Sequence, residues 1–425
     1  MRWCNMQSLL FERLTLQISP YEFATTVAES YYTSFTQDTV TGFPHGCHNN
    51  AAVNSLAAES SDYRYVISGC ADSSMKLWDV NVTDDDNRYQ CLASIPKKSA
   101  HKFGVSCVEW WPQDTGMFVS ASFDHTVKIW DTNLLEVAHE FDMTGRVYSF
   151  DISAPQALVA VAIDHPHVRL VDLRSTASSH TLPGHRGKTL SVKWHPHMEN
   201  VVATGGFDGE IKLWDIRRSN SCIARLDMLR TSEKGTSSTS TRKDTPVRAH
   251  LAPVNGLVWD LLGQLLLSAG NDDKIRVWDL LSSLAPPINK LINFGPLTRN
   301  KYPQSIPILL NSHQETELSY LLFPSDSGDI FVFRIIDGKM VSRLKRKTDS
   351  DKPTSARTSA MAFGAPFQGQ FYGGTLDGEI LTWSSSFEVP DLETVFELFA
   401  TEPPVEDLSK LKEDAARLIG PDVFN

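Results

Sequence analysis

The 425-residue chain is short of what most functional classes require. Its six cysteines (Cys4, Cys47, Cys70, Cys91, Cys107, Cys222) are scattered without a CxxC pair. They are too sparse for a disulfide framework and lack zinc-ligand spacing, which implies a reducing compartment. No stretch approaches the ~18 consecutive apolar residues of a membrane-spanning helix. The first sixteen residues contain Arg2, Glu12 and Arg13 and lack the uninterrupted apolar core of a secretory signal. Neither HExxH nor GxSxG occurs, and Gly187-Lys188-Thr189 is no phosphate loop, because Leu182 stands where that loop needs glycine. Positive charge is scarce too. The 40 Lys+Arg against 51 Asp+Glu leave a net −11, which opposes broad binding to nucleic acid or an anionic membrane. The expectation is a soluble, intracellular, non-enzymatic protein with no cofactor and no metal. The histidine pairs His165/His167 and His195/His197 each flank a proline and read as turn residues between strands.

What the chain does contain is a repeat. Four segments end alike, in MKLWDV (Met75–Val80), VKIWDT (Val127–Thr132), IKLWDI (Ile211–Ile216) and IRVWDL (Ile275–Leu280). In each, a Trp follows an Asp by six positions: Asp72/Trp78, Asp124/Trp130, Asp208/Trp214 and Asp272/Trp278. A hydroxyl stands four residues before each Asp (Ser68, Ser120, Thr204, Ser268), and a histidine lies 22 to 24 residues before it (His48, His101, His185, His250). Apolar residues alternate with period two around turn-forming Asp-X pairs, the signature of antiparallel strands joined by tight hairpins. Buried polar groups must be paired. The four residue types are therefore expected to form one buried hydrogen-bonded chain per repeat. The His–Ser–Asp sets mimic a hydrolase triad by type, but an enzyme needs one such set and not four, so the structural role is expected.

Weaker repeats place Val171, Phe333 and Trp383 in the Trp slot, which gives seven units. The expected organisation is residues 1–35 as a helix-loop-helix, 36–387 as an all-β ring, and 388–425 as a tail of net charge −7. Within the ring, residues 231–245 hold nine Ser/Thr in fifteen positions and are expected to be a disordered insert. Helices are expected over Gln7–Gln17, over Tyr21–Phe35 after the Ser19-Pro20 start signal, and over Val405–Ile419. The arginines that follow two of the motifs, Arg217 with Arg218 and Arg174, sit at the ring's rim, where a guanidinium suits a protein interface.

The repeat is the WD40 signature, and the chain resembles a seven-bladed WD40 β-propeller. The segments Pro112–Asn133 (PQDTGMFVSASFDHTVKIWDTN), Gly184–Arg218 and Ala249–Trp259, with Ile18-Ser19-Pro20, are similar to the Cockayne syndrome group A family. That resemblance implies a substrate receptor of a cullin–RING ubiquitin ligase acting in transcription-coupled nucleotide excision repair in the nucleus. The partners it implies are a damage-specific DNA-binding adaptor, repair factors and stalled RNA polymerase II, without specific binding of DNA by the chain itself. It further implies adaptor contacts by the WDxR residues Trp214, Asp215 and Arg217 with Arg218, by Arg174, and by the N-terminal helix through Phe23, Val27 and Tyr31. Removing residues 1–35 is then expected to leave a folded ring. A generic WD40 scaffold in a nuclear complex is the alternative.

Overall fold

Seven antiparallel sheets of four strands follow one another around a closed ring. The computed structural model describes residues 17–386 except 98, 113, 176, 219–221, 232–246, 281–286, 312–315, 317, 347–355 and 366–368, together with residues 9 and 13. Most of the expected first helix, nearly all of the Ser/Thr-rich insert and the tail 388–425 lie outside the described residues.

Blade one consists of Val53–Ala58, Tyr65–Cys70, Met75–Thr83 and Tyr89–Ile95. Blade two is Val105–Trp110, Met117–Ser122, Thr126–Asp131 and Glu136–Asp142, and blade three is Val147–Ser153, Leu158–Ile163, His167–Asp172 and Ala177–Pro183. Blade four is Thr189–Trp194, Val201–Gly206, Ile211–Asp215 and Cys222–Arg225; blade five is Val254–Trp259, Leu265–Gly270, Lys274–Asp279 and Ile288–Asn289. Blade six is Leu309–Leu310, Tyr320–Pro324, Ile330–Arg334 and Met340–Leu344. Blade seven takes its three inner strands, Thr358–Phe363, Gln370–Thr375 and Ile380–Ser385, from late in the chain and its outer strand, Phe35–Asp38, from the start.

That outer strand moves the beginning of the ring from residue 36 to Phe35. It closes the circle by pairing Phe35 with Ser385 and Asp38 with Thr382, so the last inner strand is not left as an open edge where the ring is joined. First strands line a central cavity of about 380 Å³. Second strands are sandwiched between neighbouring blades and are almost wholly buried, as in Val201–Gly206. Their apolar runs are continuous because both faces are covered. Outer strands such as Glu136–Asp142 are mostly exposed.

The Trp slots read from the repeat occupy one register. Trp78 pairs with Val66, Trp130 with Phe118, Trp214 with Val202 and Trp278 with Leu266. Val171, Phe333 and Trp383 take the same place against Val159, Leu321 and Phe371. Each motif Asp opens a hairpin whose next residue is left-handed: Ser73 (φ 69°), His125 (73°), Gly209 (77°) and Asp273 (55°). Gly209 is the unstrained choice for that conformation, and its missing side chain also leaves room for the His250 carbonyl.

The helix α1 (Pro20–Ser34) leads into the ring. Ser19 and Glu22 form a reciprocal capping box and Pro20 occupies the first turn, which satisfies amides that have no intrahelical partner. The helix ends where Phe35 turns extended and enters the closing strand. Its inner face is Ala28, Tyr32 and the following Phe35, all buried in one cluster with Tyr320, Leu322 and Phe371. Tyr32 lies 4.6 Å from Tyr320 and Phe35 lies 5.6 Å from Phe371, centroid to centroid. Glu29 adds ion pairs to Arg334 (3.2 Å) and Lys339 (3.1 Å). Residues 28–35 are thus part of the ring's core. Their removal would uncover Tyr320 and Phe371 and shorten the closing strand, which corrects the expectation of an intact ring without them.

Candidate protein-interaction faces

The two ends of the ring are chemically distinct. At one end, each histidine and its Asp hairpin meet. In blade two, Trp130 Nε1–H donates to Ser120 Oγ (2.8 Å), Ser120 and His101 Nε2 are 2.7 Å apart, and His101 Nδ1 reaches Asp124 (3.0 Å). Blade four repeats this with Trp214, Thr204, His185 and Asp208 at 2.7, 2.8 and 3.2 Å. Blade five repeats it with Trp278, Ser268, His250 and Asp272 at 2.9, 2.8 and 2.8 Å. The one proton scheme that pairs every group runs from indole to hydroxyl, hydroxyl to Nε2, and Nδ1–H to carboxylate.

Burial opposes the charged form of Asp208. Hydrogen bonds from His185 and from the Arg186 and Glu210 amides outweigh that and hold its carboxyl at about 2. Asp124 is likewise held well below the ordinary carboxylate range, chiefly by His101 and Thr126 against the opposing effect of burial.

The expected chain breaks in blade one. Trp78, Ser68 and His48 are joined at 2.9 and 2.8 Å, but Asp72 does not reach the histidine. Lys97 holds Asp72 Oδ2 at 3.1 Å and Ser74 occupies Oδ1, so the oxygen that meets histidine in blade two is taken. His48 Nδ1 has no partner among the described residues, and burial lowers the His48 pKa to about 4. All these sets are structural parts of their blades. The four hydroxyls, Ser68, Ser120, Thr204 and Ser268, are wholly buried, where no substrate reaches them. Among the described residues no three metal-ligating side chains cluster. His195 is a turn residue, with Nε2–H donating to the Gly263 carbonyl at 3.0 Å and Nδ1 accepting the Met198 amide at 2.8 Å.

The opposite end carries the residues singled out for adaptor contact. α1 enters there, because Phe35 pairs with Ser385, at the end of its strand remote from the Asp377-Gly378 hairpin. Arg217, Arg218 and Arg174 follow the third strands of blades four and three and so emerge at this same end. Asp215, nearly inaccessible, binds both arginines of blade four: Arg217 Nε at 3.1 Å and Arg218 Nε at 3.3 Å. One carboxylate for two guanidinium groups leaves a positive charge on side chains about two-thirds exposed.

Arg217 is therefore already paired within its own blade while its side chain stays largely exposed. Arg174 is braced by the Pro155 carbonyl at 3.2 Å. Trp214 belongs to the core and presents no side-chain surface. Tyr31 leans on Tyr32 and Phe35, 5.1 Å from each, so it packs toward the ring, whereas Phe23 and Val27 on the first half of α1 are only partly covered. Exposed apolar side chains that composition could not flag, Met198, Leu261 and Leu262, lie in the first hairpins of blades four and five at this end.

A WD domain, G-beta repeat model matches residues 40–79, 89–131, 177–215 and 242–279. The WD repeat-containing protein ATCSA-1 of Arabidopsis thaliana is 30% identical over 414 residues, 81% of this chain and 87% of that protein. The chain belongs to the WD40-repeat family. Radiation-sensitive protein 28 of Saccharomyces cerevisiae is 28% identical over 58% of the chain and 52% of its own length. A ribosome biogenesis protein WDR12 homologue of Aedes aegypti is 29% identical, over 41% of the chain and 44% of its own length. As a WD40 ring, this chain offers protein-binding faces.

Proposed function

We propose that the protein is the substrate-recognition subunit of a cullin–RING E3 ubiquitin ligase in transcription-coupled nucleotide excision repair. It works in the nucleus and is joined to the ligase through a damage-specific DNA-binding adaptor. The observation that carries this reading is the likeness to ATCSA-1 along most of the chain, and the name of the yeast relative, radiation-sensitive, points the same way. The shorter likeness to ribosome biogenesis proteins spans less than half of either chain.

Mechanistically, such a subunit does no chemistry. It holds one protein with one end of the ring and another elsewhere, and so raises the effective concentration of the substrate at the ligase. The end bearing α1 and the Arg217/Arg218 pair is the adaptor side in this reading. Phe23 and Val27 supply the apolar anchor and the uncompensated guanidinium charge supplies orientation.

The test is co-precipitation of the adaptor with the full chain, with Phe23→Ala/Val27→Ala and with Arg217→Ala. Substitution is preferred to truncation because residues 28–35 hold the ring together. Recovery should fall about tenfold or more for each variant while the melting temperature stays within about 2 °C of wild type. Undiminished recovery by both variants would sink the adaptor assignment and leave a scaffold of another complex.

A further inference from the structure

At the end of the ring with the His–Asp hairpins, blades two to four place aromatic rings in a row around a single amine. Phe123 packs on Tyr148 with centroids 6.0 Å apart, and both line the mouth of the central cavity. Lys188 Nζ lies 5.0 Å from the Tyr148 centroid and 5.1 Å from that of Phe207, and it donates to the Tyr148 hydroxyl at 3.3 Å. Phe207 is 48% exposed.

Two larger apolar exposures adjoin the row. Phe103, 63% exposed, is tied to blade two by Ser122 Oγ on its carbonyl. Leu251, 68% exposed, follows His250, whose amide binds Gly209 in the same hairpin as Phe207.

The charge here opposes that of the whole chain. Lys102, Arg146, Arg186 and Lys188 stand on the three loops that enter blades two, three and four, and none has an ion-pair partner among the described residues. The hairpin carboxylates stand against the same loops but are turned to other donors and form no ion pair with these four side chains. Asp124 is consumed by His101, Thr126 and the Lys102 amide, and Asp208 by His185 and the Arg186 and Glu210 amides. The exposed acids nearby are Asp164 and Asp142, the latter at the start of the loop that carries Arg146. A protein of net charge −11 thus places four cations without an ion-pair partner among the described residues beside accessible aromatic rings.

We infer that this rim is a recognition site for an acidic peptide segment carrying an aromatic or large aliphatic residue. Carboxylates of the peptide meet Lys188, Arg146 and Arg186, and its apolar side chain covers Phe207 with Phe103 or Leu251. The ammonium of Lys188 is already partly stripped of water by two ring faces, so it gains more from an incoming carboxylate than a freely solvated lysine would. A long nucleic acid fits less well. Its phosphates would be repelled by the rest of the surface, and four cations give too short a footprint for a polyanion.

The experiment titrates the full chain against arrays of twelve-residue peptides with glutamate and phenylalanine at permuted positions in a Gly-Ser background. The same arrays with lysine for glutamate, and single-stranded dT12, complete the set. Acidic–aromatic peptides should bind at least tenfold more tightly than their basic counterparts and weaken with added salt. Lys188→Glu should lose at least tenfold and Phe207→Ala about fivefold. Lys188→Met keeps the stem between the two rings and serves as the folding-safe variant; it should lose nearly as much as Lys188→Glu. Absence of binding by every acidic peptide, equal affinity for the basic arrays, unchanged binding by Lys188→Met, or tighter binding of dT12 would each overturn the assignment. The titration needs no adaptor, so it and the adaptor co-precipitation stand or fall separately.

Discussion

Blades two, four and five hold their third strand with a polar chain, whereas blades three and six hold the same register with hydrocarbon alone. In blade two the Trp130 indole needs an acceptor, and Ser120, ten residues earlier, supplies it. In blades three and six the corresponding pairs are Val161 with Val171 and Phe323 with Phe333, all buried. Indole and hydroxyl come and go together because a buried N–H without an acceptor costs about 1–3 kcal/mol, while removing both costs little. Blade seven is the exception that tests the rule. It keeps Trp383 but has Gly373 in the hydroxyl position, and the Trp383 Nε1 finds no acceptor among the described residues.

The contrast should be largest for truncation at the Trp slot itself. Trp130→Ala is expected to cost about 3–5 kcal/mol, through a large cavity and a broken chain, and Val171→Ala about 1–2 kcal/mol. Both residues are equally buried, so urea melts of the two variants compare size and polar linkage at one register. Equal losses would mean that the apolar blades carry more of the ring's stability than their contacts indicate.

Much of this was legible in the sequence for a physical reason. Strand register in a two-sided blade is fixed by a period of two, so a motif that marks one Trp slot marks the strand, and even Val171 and Phe333 could be placed. The closing strand was not legible as such. Phe35–Asp38 pairs with residues some 350 positions away, and locally Phe35 only continues the apolar stripe of α1. The inner face of that helix was not legible for the same reason. Phe23, Val27 and Tyr31 form one stripe and Ala28, Tyr32 and Phe35 the adjacent one. Tyr320, Phe371 and the Glu29–Arg334 pair decide between them. Nor could spacing reveal that Lys97 would take the Asp72 oxygen. The rim around Lys188 escaped because its aromatics come from three blades.

Blade one sharpens the comparison through pH. Its folded-state His48 titrates at about 4 because burial, reinforced by Lys76, disfavours the cation; an unfolded histidine titrates near about 6.5. The stabilisation from keeping His48 neutral is complete above about pH 6.5. It is lost progressively on acidification toward 4, by at most about 3 kcal/mol. The contribution of Asp208, whose folded value is about 2, persists until the pH falls below about 4. Between pH 6.5 and 4, therefore, amides of Tyr65–Cys70 should lose hydrogen-exchange protection before those of Val201–Gly206. Parallel loss in both strands, or none in either, would contradict the link to His48.

The smallest of the three effects is the most specific, because it asks what the carboxylate contributes once the other three members of the chain are in place. Asp208→Ala removes the acceptor for His185 Nδ1 and for the Arg186 and Glu210 amides. At least the histidine N–H is then stranded out of reach of water, at a cost of about 1–3 kcal/mol. Asp72→Ala releases Ser74 and Lys97, and Lys97 at least is well exposed and readily rehydrated. His48 Nδ1 is unpartnered before the change as after it. The loss there should stay below about 1 kcal/mol. A double-mutant cycle isolates the point: His185→Gln with Asp208→Ala should show a coupling of about 1 kcal/mol or more, and His48→Gln with Asp72→Ala close to none. If the blade-one pair coupled as strongly as the blade-four pair, Asp72 would have to leave Lys97 and close the chain in solution. Blade one would then join blades two, four and five in the comparison, and the early acid loosening expected of it should vanish as well.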